Sequence, residues 1–256
     1  MAVKSLILSD IHGNLAALEA VLDAEGSWDE VLFLGDTVIG GPQPNEVLDI
    51  LRSLSGIFLL GNHDSQALNT DLHERFTDPH KLWCQWIRRV LTPENLRFIE
   101  SLADTQAITR AAIDIRLIHG QLPKDYDHNC RDRYIWPDTP EESLAPFLEQ
   151  YDESVVLHGH SHVQYRRRIG NQELINPGGL GQPRLGQPLA CYAVLTDGQI
   201  DLRAVPYDFE KTAAAMALLD LDADFIAMWQ KIYRDAALAP RYQSRDLGPL
   251  LNAGYR

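Results

Sequence analysis

The chain has 256 residues, of which 45% are apolar and 23% are charged, a composition typical of a soluble globular protein with one large domain. Its formal net charge of −13 disfavours nucleic acid or an anionic membrane as the main partner, because the field of the protein repels polyanions. Three widely spaced cysteines, Cys84, Cys130 and Cys191, predict neither a disulfide framework nor a cysteine metal site. With no signal-peptide pattern and no long uncharged apolar run, we expect a cytoplasmic protein.

Three units of strand, turn and helix open the chain, with apolar strand patterns at 3–9, 31–34 and 57–60. Each predicted strand runs into polar side chains: Asp10 and His12, then Asp36, then Asn62, His63 and Asp64. Repeated units of this kind predict a layered α/β fold. Because open α/β sheets bind ligands beyond the carboxyl ends of their strands, we expect these residues at a rim rather than in the core.

The middle of the chain is predicted to be helical from 78 to 102, with aromatic stripes that indicate packing surfaces rather than a cofactor site. A strand at 113–118 follows and ends at His119. The next segment, 120–137, reads as a long loop, and long loops inside compact domains are usually functional or disordered. Both the helices near 80–102 and this loop lie between the predicted site residues, so they are candidates for a lid.

A further strand at 154–157 meets a histidine cluster: His158, His160 and His162. Short alternating strands with turn signals then fill 163–205 and predict a second, antiparallel sheet. After Pro206 the composition changes and predicts helices. We therefore expect a main domain at 1–206 and a C-terminal helical appendage at 207–256, packed on the core.

Each polar cluster alone is ambiguous, since such residues also form turns and helix caps. Residues two apart, such as Asp10 and His12, direct their side chains the same way if the chain stays extended. Metal-competent residues nevertheless follow almost every predicted strand: Asp10, His12, Asp36, Asn62, His119, His160 and His162. Oxygen and imidazole ligands without thiolates suit manganese, iron, zinc, nickel or cobalt, and we expect manganese first. Two such ions about 3.5–4 Å apart could bind a phosphate and activate a bridging water, which predicts phosphoester hydrolysis.

These motifs, in this order, resemble the calcineurin-like metallophosphoesterases over residues 10–184. The segment 176–184, Asn-Pro-Gly-Gly-Leu-Gly-Gln-Pro-Arg, is similar to the glycine-rich turn of the compact bacterial phosphodiesterases of the YfcE type, which often have serine where Gly179 stands. The resemblance implies a two-sheet β sandwich flanked by helices, a four-layer α/β/β/α arrangement, with a dinuclear metal centre at the strand ends.

The resemblance also implies roles for individual residues. The first metal would be held by Asp10, His12, Asp36 and His162. The second would be held by Asp36, Asn62, His119 and His160, so that Asp36 bridges the two ions. His63 would act beside the leaving oxygen with Asp64 orienting its ring, and Asn62, His63 and Arg184 would bind substrate. A structural role for His63 and a structural ion pair for Arg184 remain alternatives at this point, and His158 is expected behind the ligands.

The chain departs from the protein phosphatases of this superfamily, because it lacks an Asp-Arg-Gly sequence at Asp36 and has Asn62-His63-Asp64 instead of Asn-His-Glu. We therefore expect an enzyme that hydrolyses small phosphodiesters by attack of a metal-bridging hydroxide. A phosphomonoesterase and a dinucleoside polyphosphate hydrolase are alternatives. A non-catalytic scaffold of the same fold and a nuclease are weaker ones, and a homo-oligomer is left open.

Overall fold

A computed structural model describes residues 3–69, 78–120, 134–184, 186–238 and 246–255. In chain order these residues form β1 (Ser5–Leu8), α1 (Leu15–Glu25), β2 (Glu30–Phe33), α2 (Pro44–Ser53), β3 (Gly56–Phe58), α3 (Asn62–Leu68), α4 (Asp78–Val90), α5 (Pro93–Glu100), β4 (Thr105–Arg110), β5 (Ile113–Ile118), α6 (Glu141–Leu148), β6 (Val155–Leu157), β7 (Tyr165–Ile169), β8 (Gln172–Asn176), β9 (Leu189–Thr196), β10 (Gln199–Pro206), α7 (Phe209–Met216), α8 (Ala223–Asp235) and α9 (Gly248–Asn252). Cys130 and most of the predicted loop at 120–137 lie outside the described residues.

The strands form two five-stranded sheets, in the orders β10-β9-β1-β2-β3 and β4-β5-β6-β8-β7. Strands β1, β2 and β3 are parallel to one another, as are β5, β6 and β8, and the remaining strands pair antiparallel. The inner faces meet in a buried cluster that includes Ile7, Leu32, Ile115, Leu157 and Ile175. The predicted two-sheet sandwich is confirmed.

One sequence expectation about the sheets was wrong. Residues 163–205 do not form a separate antiparallel sheet, because β9 and β10 join the first sheet, where β9 pairs antiparallel with β1, while β8 pairs parallel with β6. The reason lies in β9, whose residues are buried on both faces: Tyr192 and Val194 face the helices, while Ala193 and Leu195 face the other sheet. Such a strand is stable at the centre of a sheet rather than at an edge.

Helices cover the outer faces of both sheets. Leu18 and Val21 of α1 and Val47 and Leu51 of α2 pack on the first sheet. Leu144 and Phe147 of α6 pack on the second sheet. Four layers result, as the sequence resemblance implied. Among the described residues, no helix has both the length and the hydropathy needed to cross a membrane.

The aromatic stripe of α4 is a packing surface, as the sequence predicts. Trp83 is fully buried, and its ring lies 5.3 Å from that of Trp86 and 5.4 Å from that of Trp229 on α8. The same cluster reaches Val38 and Ile39 in the loop after β2. The C-terminal helices therefore pack directly behind a loop that carries predicted site residues.

Candidate metal centre

The predicted metal ligands converge at the carboxyl ends of strands from both sheets. Asp10 and His12 follow β1, Asp36 follows β2 and Asn62 begins α3 after β3. From the second sheet, His119 follows β5, and His160 and His162 follow β6. In the described ranges, three groups of side chains have potential ligand atoms within 4.8 Å of one another: Asp10, His12 and His162; His12, Asp36 and His63; and Asp36, His119 and His160.

The backbone at these positions is left-handed rather than extended. Five of the predicted ligands have positive φ angles: Asp10 (56°), His12 (52°), Asp36 (63°), His160 (67°) and His162 (59°). Each such non-glycine residue costs about 1–3 kcal/mol and persists only where its surroundings fix it. The expectation that an extended chain aligns Asp10 with His12 was therefore wrong, because tight left-handed turns bring these side chains to one centre.

One oxygen of the Asp10 carboxylate accepts hydrogen bonds, and the other does not. Ser9 Oγ donates to Asp10 Oδ2 at 2.6 Å, and the His160 backbone N–H donates to the same oxygen at 3.0 Å. Asp10 Oδ1 is buried and has no hydrogen bond from any residue that the structure describes, and it lies 3.3 Å from His162 Nε2 and 3.9 Å from His12 Nε2. Burying a carboxylate oxygen without a hydrogen-bond donor costs free energy unless a cation binds to that oxygen.

Asp36 repeats this arrangement between the two sheets. Its Oδ1 accepts the His63 backbone N–H at 2.8 Å, while its Oδ2 is buried and accepts no hydrogen bond within the described part of the chain. That Oδ2 lies 3.3 Å from His119 Nε2 and 3.8 Å from His12 Nε2, so it faces both groups of ligands. Burial raises the pKa of Asp36, but the neighbouring imidazoles, above all His119, outweigh burial and hold this pKa well below its usual range.

Backbone carbonyls fix the orientation of three imidazoles. The Nδ1 atom of His12 lies 2.7 Å from Ile39 O, that of His162 lies 2.7 Å from Gln182 O, and that of His119 lies 2.9 Å from Leu34 O. Because a carbonyl can only accept, each Nδ1 carries a proton and donates it. In the neutral rings, each Nε2 therefore presents a lone pair to the centre, which is the tautomer that binds a metal.

At His119, a metal ion would have to compete with a proton for Nε2. His119 Nε2 lies 3.0 Å from Asn62 Oδ1 and 3.3 Å from Asp36 Oδ2, two acceptor oxygens. Burial alone would lower the pKa of His119, but the Asp36 carboxylate raises it to about 9. By contrast, burial and Arg184 lower the pKa of His162 to about 4. A proton at His119 therefore occupies a position at which a cation would satisfy the same oxygens.

Asp64 does not orient the ring of His63, contrary to expectation. Its two oxygens accept four backbone N–H groups, from Asp36 (2.9 Å), Thr37 (2.9 Å), Val38 (3.2 Å) and Gly61 (3.0 Å). Burial and the Asp36 charge raise the pKa of Asp64 to about 7, and the bonds from Gly61 and Val38 oppose this rise. Asp64 thus fixes the loop that carries Asp36.

His63 stands at the accessible edge of the cluster. Its side chain is 21% exposed, whereas those of Asp36, His12 and His162 are each 1% exposed. Its Nε2 lies 3.9 Å from Asp36 Oδ2, and its Nδ1 has no hydrogen-bond partner among the described residues. The ring lies 5.3 Å from that of His80 on α4, a neighbour that the sequence did not reveal.

Arg184 reaches the centre from the glycine-rich turn. It is buried, and its Nη2 lies 3.2 Å from His162 Nε2 and donates to Gln182 Oε1 at 3.4 Å. No acidic partner pairs with it within the described part of the chain, so a structural ion pair is not found there. Its guanidinium lies 5.8 Å from the ring centre of Tyr134.

Sequence reasoning missed Tyr134 and Ser9, and it named His158 without its partner. The ring of Tyr134 stacks on that of His160, with centres 4.1 Å apart and planes inclined by 13°. No local signal predicts this contact, whereas Ser9 directly precedes Asp10 and could have been read as its support. His158 is fully buried and its Nε2 bonds the hydroxyl of Tyr165 at 2.7 Å, so it lies behind the ligands.

Comparison with known proteins gives a consistent result. Residues 3–199 match the family model of the calcineurin-like phosphoesterase superfamily domain. The chain is 32% identical over 230 residues to an uncharacterized protein, MJ0912, of Methanocaldococcus jannaschii, covering 82% of this chain and 90% of that protein. It is 26% identical to the phosphodiesterase YfcE of Escherichia coli K12, covering 79% of this chain and 92% of that enzyme. The crystal structure of a metallophosphoesterase from Sphaerobacter thermophilus superposes with a TM-score of 0.74 at 28% identity, covering 90% of this chain and 98% of that one.

Proposed function

Because the chain belongs to the calcineurin-like phosphoesterase superfamily and is a metal-dependent phosphoester hydrolase, we propose that it hydrolyses small phosphodiesters at two divalent cations. One observation carries the proposal. Two buried carboxylates, Asp10 and Asp36, each tether one oxygen and direct the other, unpaired, at imidazole nitrogens. Acceptors that converge in this way without donors fit cations.

The distances support a division of the ligands between two ions. The first would be held by Asp10, His12, Asp36 and His162, and the second by Asp36, Asn62, His119 and His160. Asp36 Oδ2 is the one unpaired oxygen with both His12 and His119 as neighbours, which suits it for the shared position. Nitrogen and oxygen ligands without a thiolate suit manganese, which we propose as the metal in preference to iron, zinc, nickel or cobalt.

The protein's own groups would bind and orient the phosphate. A pair of bound divalent ions supplies an activated water near neutral pH and neutralises charge on phosphate oxygens. Arg184 is a buried cation beside a cation site, so it needs an anion, and a substrate phosphate oxygen is a suitable partner. The Asn62 amide, whose Oδ1 lies 3.0 Å from His119 Nε2, would contact substrate as well as metal.

His63 would carry the proton step. It is the accessible imidazole of the cluster, so it can approach the leaving oxygen of a bound ester. A neutral imidazole cannot donate from both nitrogens, and in this role Nε2 would carry the proton that the leaving oxygen receives. The unpaired Nδ1 leaves the ring free to adopt that tautomer.

The C-terminal segment would support the site rather than supply its chemistry. We assign residues 1–206 to the phosphoesterase domain and 207–256 to a helical appendage packed on it. Thr212 Oγ1 of α7 donates to Asn14 Oδ1 at 2.8 Å, and Tyr233 of α8 donates to Gly40 O at 2.8 Å. The proposed setting is the cytoplasm, with a small phosphorylated molecule as substrate.

The test compares manganese-loaded wild type with Asp36→Asn on bis(p-nitrophenyl) phosphate. We expect turnover to fall by at least about 100-fold, because the shared ligand loses its charge. Asp220→Asn is the matched control, since that side chain is 95% exposed and pairs with Arg89 on the surface. Equal turnover in wild type and Asp36→Asn would contradict the proposal. A panel with p-nitrophenyl phosphate and a dinucleoside tetraphosphate then separates diesterase activity from its two alternatives.

A further inference from the structure

A cavity adjoins the metal centre and extends beyond the site described so far. Its volume is about 160 Å³, and two of its lining residues, His162 and Arg184, also belong to the centre. The rest of the wall is largely apolar and includes Leu189, Cys191 and Leu251. The cavity therefore begins where a bound phosphate would lie and continues away from it.

The C-terminal segment forms the far wall. Leu247 and Leu250 are 7% and 2% exposed, and they pack in one cluster with Trp136 and Val163. This packing fixes α9 against the body of the protein. The next residues along the chain, Leu251, Gly254 and Tyr255, line the cavity. Leu251 remains 45% exposed, so its side chain offers apolar surface that a ligand in the cavity would cover.

The size and chemistry of the wall define what fits. A cavity of about 150 Å³ lined by apolar residues holds one benzene ring, so the present cavity has room for about one ring. Among the described residues that line the cavity, Arg184 is the one charged side chain and none carries a carboxylate. An apolar group attached to an anionic phosphate matches this combination of one buried cation and an apolar wall.

We propose that the cavity binds the organic group of the phosphodiester, a compact apolar group of about one aromatic ring, and that Leu251 determines its size. This inference rests on the proposed function, since it places the phosphate at the metal centre and at Arg184. The enzyme then selects aryl-sized phosphoesters over methyl esters. The selection comes from the C-terminal segment, outside the proposed phosphoesterase domain at 1–206.

The test measures binding of two non-hydrolysable probes, phenylphosphonate and methylphosphonate, to the manganese-loaded protein by calorimetry. Both probes carry the same anionic group, so the difference between their dissociation constants reports the contribution of the cavity alone. Wild type is expected to bind phenylphosphonate at least about tenfold more tightly, because a ring buries substantial apolar area. Leu251→Trp fills the cavity and is expected to abolish this preference while leaving methylphosphonate binding within about twofold.

Leu218→Trp is the matched control, because Leu218 also lies in the C-terminal region but is 86% exposed and does not line the cavity. Its preference for phenylphosphonate should equal that of wild type. Leu251→Ala enlarges the cavity and should improve binding of 1-naphthylphosphonate. This variant tests the proposal independently if Leu251→Trp fails to fold. The inference is overturned if wild type binds both phosphonates equally, or if Leu251→Trp weakens both by the same factor. A retained phenyl preference without any hydrolysis would instead overturn the proposed function and leave the cavity assignment standing.

Discussion

His12 Nε2 and His162 Nε2 lie 3.1 Å apart, while the Nδ1 atoms of both rings bond backbone carbonyls. When both rings are neutral and carry their protons on Nδ1, the two Nε2 lone pairs point at each other. Such a contact is repulsive unless a cation lies beside it. Asp10 Oδ1, also unpaired, lies 3.3 Å from one of these nitrogens. Arg184 Nη2 lies 3.2 Å from His162 Nε2 and offsets part of this repulsion, and a bound metal would offset the rest.

Removing metal should therefore destabilise the protein measurably. A ligand at 100 times its dissociation constant adds about 2.7 kcal/mol to the free energy of unfolding, which corresponds to about 5–10 °C in Tm for a chain of this size. We expect Mn²⁺ added to chelator-treated wild type to raise Tm by this amount in calorimetry. His12→Ala should lose much of the increase. An equal increase in both proteins would show that manganese binds elsewhere.

Metal affinity should rise with pH. The pKa of His119 is raised to about 9, so below that pH a proton must leave the ring before a cation can bind. One released proton makes the apparent affinity for Mn²⁺ increase by about tenfold per pH unit between pH 6 and pH 8. Calorimetry in buffers of different ionisation enthalpy counts the protons directly. A pH-independent affinity, with no proton released, would contradict the assignment of His119 as a ligand.

Replacing His63 by glutamine should separate chemistry from metal binding. We expect kcat to fall by about 10²–10⁴-fold, the usual contribution of a positioned proton donor, with manganese affinity nearly unchanged. The loss should be smaller for p-nitrophenyl esters than for alkyl esters, because p-nitrophenolate leaves without needing a proton. A comparison of the two leaving groups thus serves as an internal control. If both substrates lose the same factor, His63 acts in binding rather than as an acid.

The convergence of these residues could be predicted from sequence because it follows from topology. Parallel strands bring their carboxyl ends to one edge, so Asp10, Asp36 and Asn62 had to be neighbours once the strand patterns were recognised. The place of β9 beside β1 could not be predicted, because pairing between strands that lie about 180 residues apart leaves no local signal. The stacking of Tyr134 on His160 is similarly non-local.

The role of Asp64 was mispredicted for a related reason. Its position beside His63 suggested a contact between the side chains, whereas the helix start turns the Asp64 carboxylate to the backbone N–H groups of Asp36, Thr37 and Val38. Sequence adjacency on a helix does not place side chains side by side. The geometry of the turn decided the contact, and a sequence pattern does not specify that geometry.

Asp64→Asn should therefore act on the loop rather than on proton transfer. An asparagine amide would point two N–H groups at backbone donors. Above the Asp64 pKa of about 7, the variant therefore loses hydrogen bonds to a charged acceptor, which costs about 3 kcal/mol in the free energy of unfolding. We expect this loss in urea titrations of the metal-free protein, together with weaker manganese binding. Asp222→Asn is the control, because Asp222 caps α8 and asparagine is an equally good cap. A fall in kcat with stability and metal affinity unchanged would restore the catalytic role.

The C-terminal helices should influence the metal centre through one hydrogen bond. Tyr233 donates to Gly40 O at 2.8 Å, and the preceding carbonyl, Ile39 O, holds His12 Nδ1 at 2.7 Å. Tyr233→Phe removes the hydrogen bond to Gly40 O, the carbonyl next to Ile39 O, so we expect manganese affinity to fall by about tenfold, as when outer partners of a ligand are lost. Tyr192→Phe is the matched control, since it loses a 2.8 Å bond to Glu25 far from the centre. Both variants should lose about 1 kcal/mol of stability, but only Tyr233→Phe should bind metal more weakly. Equal affinities in the two variants would mean that the helices stabilise the fold without positioning His12.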